Sequence, residues 1–126
     1  MNKDEILKEL KKIESDAGGK LPTLYEKFLS EEVQDADLYE ITSQRGDSVY
    51  IFNYKDIIER NNTYAIQETE PDFLLIGQDG DLGYFINLND GSDKIYSLDL
   101  GSLGSLDMDE EAQDLYELRN SCHIPE

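Results

Sequence analysis

The sequence of residues 72–104 is DFLLIGQDGDLGYFINLNDGSDKIYSLDLGSLG, and it predicts three consecutive β-strands. The apolar run at residues 73–77 is too short for a buried helix and is bounded by turn formers, so it indicates a strand covered on both faces. Alternation of apolar and polar residues then predicts a second strand at residues 84–88 and a third at residues 94–100. Turns rich in Asp, Asn and Gly join the three strands. We therefore expect an antiparallel meander.

Two helices are predicted ahead of the sheet. Asn2 and Glu5 have the spacing of a capping box at the start of a first helix. Paired glycines at residues 18–19 end that helix, and Pro22 suits the first turn of a second one. Both helices carry an apolar stripe, made of Ile6, Leu7, Leu10 and Ile13 in the first and Leu21, Leu24, Tyr25, Phe28 and Leu29 in the second. Residues 30–37 are then expected to form an acidic loop.

The remaining elements complete a mixed architecture. Strands are predicted at residues 38–42 and 48–52 with a turn at residues 44–47 between them, and a third helix is expected over residues 54–66. A terminal helix is expected over residues 107–121, where apolar residues recur at helical spacing. The prediction is one α+β domain over residues 1–126, with a central antiparallel sheet of about five strands. Helices pack at its amino-terminal, middle and carboxy-terminal segments.

The chain is strongly acidic. It has 29 acidic and 11 basic residues, which gives a formal net charge of −18. Residues 1–63 contain 14 acids and 9 bases (net −5), whereas residues 64–126 contain 15 acids and 2 bases (net −13). This charge repels phosphate backbones and anionic lipid surfaces, so we expect no nucleic-acid or membrane partner. It attracts basic proteins, although the alternative is that acidity only keeps the domain soluble.

Cysteine usage and hydropathy predict the compartment. The single cysteine, Cys122, excludes an internal disulfide, so nothing indicates an oxidising environment. The charged residues after Met1 do not resemble a signal peptide. No apolar stretch approaches the roughly 20 residues that span a bilayer. We expect a cytoplasmic protein that is a monomer or a weak dimer.

No residue pattern indicates catalysis or a bound cofactor. Cys122 and His123 are the only cysteine and histidine, and adjacent side chains on a helix do not face each other. Zinc needs clusters of His and Cys, and the acidic turns lack the ligand pattern of an EF-hand. Paired acids arise by chance in such a composition, and no Gly-rich phosphate loop ends in Gly-Lys-Ser/Thr. We expect no enzymatic activity, no cofactor and no metal.

Each of the eight tyrosines is a candidate either for burial in the core or for a contact at a protein interface. The four in core-like apolar patterns, which we expect to be buried, are Tyr25, Tyr50, Tyr84 and Tyr96. The sequence leaves the positions of three others open, namely Tyr39, Tyr64 and Tyr116. An exposed tyrosine surrounded by carboxylates would be a good anchor for a protein interface.

Three segments follow the pattern of a known family. Residues 74–101, LLIGQDGDLGYFINLNDGSDKIYSLDLG, contain an apolar strand ending in Ile-Gly, an Asp-Gly turn and an Ile-Tyr strand. Residues 21–29, LPTLYEKFL, match a helix start of the form Leu-Pro-x-x-Tyr-x-x-Phe-Leu, and residues 61–64 stand just before the central strand. In this order and spacing the segments resemble the SUKH superfamily of Smi/Knr-like domains. The resemblance spans residues 2–104, although residues 31–34 replace the family's frequent Asn-Gly pair.

The resemblance implies a function that composition does not. Many bacterial members are immunity proteins that bind a cognate polymorphic or contact-dependent toxin domain in the cytoplasm, and these toxins are often nucleases with basic active sites. Eukaryotic members imply an alternative, a regulatory protein-interaction scaffold of the Smi/Knr type. A third hypothesis, of a different class, is a small-ligand or cryptic enzymatic domain.

The charge distribution supplies candidate contacts for a basic toxin domain. They lie in the loop after the second helix, in the turns of the meander and at the start of the terminal helix. The candidates are Glu31, Glu32, Asp35, Asp37, Asp79, Asp81, Asp90, Asp93, Asp107, Asp109 and Glu110. The alternative for each is a solvated surface charge. Asp107 and Glu110 are also the predicted capping pair of the terminal helix.

Overall fold

The computed structural model describes residues 2–36, 39–42, 48–105 and 107–120. These residues form one antiparallel sheet in which six strands follow each other in chain order. The strands are β1 (Tyr39–Thr42), β2 (Ser48–Ile51), β3 (Phe73–Asp79), β4 (Leu82–Asn87), β5 (Ile95–Asp99) and β6 (Asp109–Ala112). The helices are α1 (Lys3–Ala17), α2 (Thr23–Phe28), α3 (Tyr54–Thr63), α4 (Ile66–Thr69) and α5 (Leu115–Asn120). The α+β prediction is confirmed, with one strand more than expected.

The meander forms as predicted. Strands β3, β4 and β5 pair antiparallel, with a bulge between Leu75 and Gly77. Adjacent residues of the central strand are buried, so both of its faces are covered as expected. On one face Phe73 meets Phe85 and Tyr96 edge to face, at centroid distances of 6.5 and 5.5 Å. Such pairs stabilise beyond their buried area and fix the register of the three strands.

The first helix begins and ends as predicted. The Asn2 side chain accepts a hydrogen bond from the Glu5 N–H at 2.9 Å, and the Glu5 carboxylate accepts one from the Asn2 N–H at 3.1 Å. At the other end Gly18 has a φ of 74°, a left-handed conformation that glycine adopts without a steric penalty. The buried residues of α1 are Ile6, Leu10 and Ile13, three members of the predicted stripe.

The acidic loop begins later than predicted. Leu29–Val33 continues α2 as a π-helical turn instead of leaving the helix at Ser30. Leu29, Ser30 and Val33 are buried in this turn, and its residues pack against α1. Burying these side chains outweighs the tendency of the acidic sequence to form a loop, because apolar burial stabilises by about 25 cal/mol per Å². The chain leaves the helix at Gln34, where φ is 53°.

The third helix is shorter than predicted. It ends at Thr63, and Ala65 takes a left-handed conformation with a φ of 50° before α4 begins. The sequence predicts one helix that continues toward Ile66. The break lets Ile66 turn into the core, where it is fully buried. It also lets the Gln67 amide donate to the Phe73 carbonyl oxygen of β3.

The predicted terminal helix is wrong over its first half. Asp109–Ala112 forms β6, which pairs with β5 through Ile95 and Ala112, and only Leu115–Asn120 is helical. The open edge of β5 offers main-chain hydrogen bonds that a local helical pattern cannot match, and tertiary context overrides propensity in such cases. The capping pair Asp107 and Glu110 is therefore not formed. Asp114 caps the helix instead, accepting a hydrogen bond from the Glu117 N–H at 2.8 Å.

No helix among the residues described is both long enough and apolar enough to cross a membrane. The predicted turn at residues 44–47, the start of the first strand at Leu38 and the pair formed by Cys122 and His123 lie outside the described residues.

Candidate functional site

Two acids of the predicted loop are paired within the chain. The Glu31 carboxylate lies 2.5 Å from Lys3 Nζ, and Glu32 lies 2.7 Å from the Arg119 guanidinium. Hydrogen bonding to Lys3 is the main reason that the pKa of Glu31 lies below its usual value. Each of these negative charges is compensated by a cation of the same chain, so it attracts a positively charged partner less strongly. Asp35 is exposed, and Asp37 lies outside the described residues.

The β4–β5 connection uses its two candidate acids to build structure. The Asp90 carboxylate accepts a hydrogen bond from the Ser92 N–H at 2.9 Å, which makes an Asx turn in the predicted Asp/Asn/Gly connection. The Asp93 carboxylate accepts one from the Leu24 N–H at 3.0 Å, at the first turn of α2. This contact satisfies a main-chain donor that the helix itself leaves open. Asp93 therefore ties the meander to the amino-terminal helices.

Three further candidates lie along or before the edge strand β6. Asp107, Asp109 and Glu110 are exposed. Glu110 forms an ion pair with Lys94 at 2.9 Å, and this contact raises the pKa of Lys94. Because Asp107 precedes β6 and Asp109 and Glu110 lie in it, none of the three lies at the start of a helix, where the sequence predicts a capping pair. They place negative charge on an open sheet edge, which discourages pairing with a like edge.

Asp79 and Asp81 flank the tight turn between β3 and β4. Gly80 between them has a φ of 58°, as the Asp-Gly turn requires. Among the residues described, neither carboxylate has an ion-pair partner. Of these two, Asp79 lies near enough to Tyr50 for its negative charge to raise the pKa of that side chain.

The expectation that Tyr50 is buried is wrong. Its side chain is 42 % exposed, whereas Tyr25 and Tyr84 are buried as predicted. In the register of the sheet, Tyr50 lies opposite Glu40 on β1 and opposite Gln78 on β3. Residues directly opposite share a face, so the three side chains form a row. We call this side of the sheet the outer face.

Carboxylates surround the Tyr50 hydroxyl. The negative charge of Glu40, a hydrogen bond to Glu40 and the charge of Asp79 together raise the pKa of Tyr50. The charge of Glu40 is the largest of these causes. A negative potential that disfavours the phenolate also favours a cation at the same place.

A hollow lies beside this row, where β2 pairs closely with β3. At Gly77 a Cβ atom would lie 2.6 Å from the Tyr50 carbonyl oxygen, so the approach needs glycine. The hollow has a volume of about 260 Å³. The lining residues of this Tyr50 hollow are Tyr39, Tyr50, Ile51, Phe52, Asp56, Arg60, Gln78 and Gly80.

The lining of the Tyr50 hollow contains both acceptors and donors, including the Asp56 carboxylate, the Arg60 guanidinium and the Gln78 amide. Gln78 Nε2 donates to the Gly80 carbonyl oxygen at 2.7 Å, which turns Gln78 Oε1 away from that contact. Gln78 Oε1 is buried and has no hydrogen-bond partner among the described residues. The cation of the hollow, Arg60, lies over the Phe52 ring at 5.9 Å. An unpartnered buried acceptor is costly, and a donor from outside would satisfy it.

A signal in the sequence could have identified Tyr50. The strand prediction already placed Tyr50 and Val49 on opposite faces, and Glu40 and Thr42 alternate with the buried Ile41 on β1. A strand whose alternate residues are charged has one solvent face. Pairing Tyr50 with Glu40 depends on the register, however, which the single sequence does not reveal.

The described residues offer no metal site, since none of their His, Cys, Asp and Glu side chains form a group of three or more that could hold an ion. The outer face is suited to binding a partner, because it presents a half-exposed aromatic ring with carboxylates and an amide oxygen near it. Donors with positive charge complement such a surface.

Comparison with models of known protein families and with curated proteins found no match for this chain. The SUKH resemblance therefore stays a prediction that rests on three segments. In the fold, residues 21–29 cover α2, residues 61–64 contain the end of α3, and residues 74–101 contain the meander.

Proposed function

We propose that the protein is a non-catalytic immunity protein that binds and neutralises a cognate toxin domain in the cytoplasm. The toxin domain is expected to be basic, as a nuclease with a phosphate-binding active site is. The observation that carries the proposal is the exposed Tyr50 with Glu40 and Asp79 around it on the outer face. Tyrosine is enriched among the few residues that contribute most of the binding energy of protein interfaces.

The charge of the chain supports the same proposal. At a net charge of −18 it steers basic partners toward itself, and occupying a basic cleft mimics the charge of the nucleic-acid substrate. Glu31, Glu32 and Glu110 form ion pairs within the chain, so fewer acidic residues are available to contact a basic partner. Asp79, whose negative charge acts on Tyr50, remains available.

Co-expression with the toxin-like carboxy-terminal domain encoded by the neighbouring gene tests the proposal. We expect rescue of growth, together with nanomolar binding whose association rate falls as salt rises. A basic protein of unrelated fold, titrated at the same salt concentrations, controls for non-specific charge attraction. Absence of both rescue and complex would overturn the immunity function. Loose binding to several host proteins would then favour the regulatory scaffold.

A further inference from the structure

We propose that the Tyr50 hollow receives an arginine side chain of the partner protein, with the guanidinium stacked on the Tyr50 ring and hydrogen-bonded to Gln78 Oε1. The inference rests on the proposed function and specifies the contact through which the partner is recognised. Glu40, which lies opposite Tyr50 on β1, and Asp79 supply negative charge near the Tyr50 side chain.

The donor and acceptor inventory favours a cation with several donors. Gln78 Oε1 needs a donor, and the carboxylates of Glu40 and Asp79 accept hydrogen bonds without donating any. Arginine carries five N–H donors in a planar fork and no acceptor. It therefore satisfies several acceptors at once without leaving a new one buried.

The aromatic ring distinguishes arginine from lysine. A planar guanidinium stacks on an aromatic face and is more weakly hydrated than an ammonium group, so it loses less when it leaves water. The protein already makes this contact internally, since the Arg119 guanidinium lies 5.4 Å from the Phe28 centroid and 5.3 Å from the Tyr116 centroid. Tyr50 presents the same chemistry to the outside.

The size of the hollow favours a protein side chain over a free small molecule. Its volume of about 260 Å³ lies below the range of roughly 300–1,000 Å³ that is typical of small-molecule sites. One long side chain projecting from a partner fills such a space. The row of Glu40, Tyr50 and Gln78 stands on three paired strands, so the site is rigid before binding.

Two variants test the inference in the complex with the neighbouring toxin domain. Tyr50→Ala removes the ring, and we expect a loss of affinity of about tenfold to a hundredfold, as for an interface hot spot. Ile58→Ala is the matched control, because Ile58 is 50 % exposed and lies elsewhere, on α3. Equal affinities of the two variants for the toxin domain would overturn the inference. Rescue of growth by the wild-type protein would still support the proposed function in that case.

A second measurement does not depend on the toxin. The protein with ¹³C-labelled tyrosine is titrated with a blocked tri-arginine peptide and, separately, with a blocked tri-lysine peptide, while NMR follows the ring resonances. We expect tri-arginine to shift the Tyr50 signal at lower concentration than tri-lysine, and Gln78→Met to weaken that preference. Equal responses to both peptides, or shifts confined to other tyrosines, would contradict the arginine site even if the toxin binds.

Discussion

The side chain of Asn61 pairs with the main chain of Leu75 as a neighbouring strand would. Asn61 Oδ1 accepts a hydrogen bond from the Leu75 N–H at 2.9 Å, and Nδ2 donates to the Leu75 carbonyl oxygen at 2.9 Å. Strand β2 leaves this edge after Phe52, whose N–H donates to the Ile76 carbonyl oxygen. The amide continues the ladder where β2 stops, so α3 is fixed to the sheet by hydrogen bonds as well as by packing.

Asn61→Ala is expected to lower the free energy of unfolding by about 3 kcal/mol. It leaves a buried N–H and a buried carbonyl group of Leu75 without partners, and each such loss costs about 1–3 kcal/mol. The neighbouring Asn62 is exposed, so Asn62→Ala serves as control and should change stability by less than about 0.5 kcal/mol. Urea unfolding measures both. Equal losses in the two variants would show that the Asn61 pairing contributes nothing.

Tyr25→Phe is expected to leave the protein at least as stable as wild type at neutral pH. The Tyr25 hydroxyl is buried and has no hydrogen-bond partner among the described residues. Removing it spares its desolvation, a gain of up to about 1 kcal/mol. A clear loss of stability on urea unfolding would indicate that the hydroxyl has a partner.

The same substitution is expected to change the response to alkali. Burial raises the pKa of Tyr25, whereas in the unfolded chain the group ionises near the ordinary tyrosine pKa of about 10. A raised pKa means that the contribution to stability is fully present below about pH 10 and is lost as the pH rises further. Tyr25→Phe should therefore flatten the fall in unfolding free energy between about pH 9 and 11.5. Superimposable profiles would contradict this.

Ala65→Gly is expected to stabilise the protein by about 0.5–1 kcal/mol. Ala65 has a φ of 50°, and this left-handed conformation costs a residue with a Cβ about 1–2 kcal/mol. Glycine removes this cost, but its greater conformational entropy in the unfolded chain offsets part of the gain in stability. Ala17→Gly, in the last turn of α1, is the control, because glycine lowers stability at a helical position. The two changes should move the thermal midpoint in opposite directions. The same sign for both would argue against strain at Ala65.

Arg119→Lys is expected to lower the free energy of unfolding by about 1 kcal/mol. The guanidinium stacks on Phe28 and Tyr116 and bonds Glu32, and an ammonium group cannot keep the planar contacts. Lys12→Met, which removes an exposed pair with Glu9, is the control and should change stability little. Comparable effects of both changes on urea unfolding would show that stacking on the rings adds nothing.

Local patterns were reliable where the residues that fix an element lie within a few positions of each other. The capping box at Asn2, the glycine end of α1 and the tight turns of the meander all depend on neighbours in sequence. The terminal segment failed because Asp109–Ala112 pairs with β5, and a free strand edge lies beyond any local window. The third helix ends earlier than predicted because Ile66 enters the core and Gln67 bonds the main chain of β3, and both are tertiary contacts.

The sequence by itself determined the α+β class, the meander, the apolar stripes and the strong negative charge, since composition and periodicity carry these properties. The tertiary structure alone decided which carboxylates are compensated by Lys3, Arg119 and Lys94. It also decided that Tyr50 is exposed opposite Glu40, because the pairing register of the strands sets which side chains share a face. A binding surface combines residues from several strands, so its composition follows from pairing and not from any one segment.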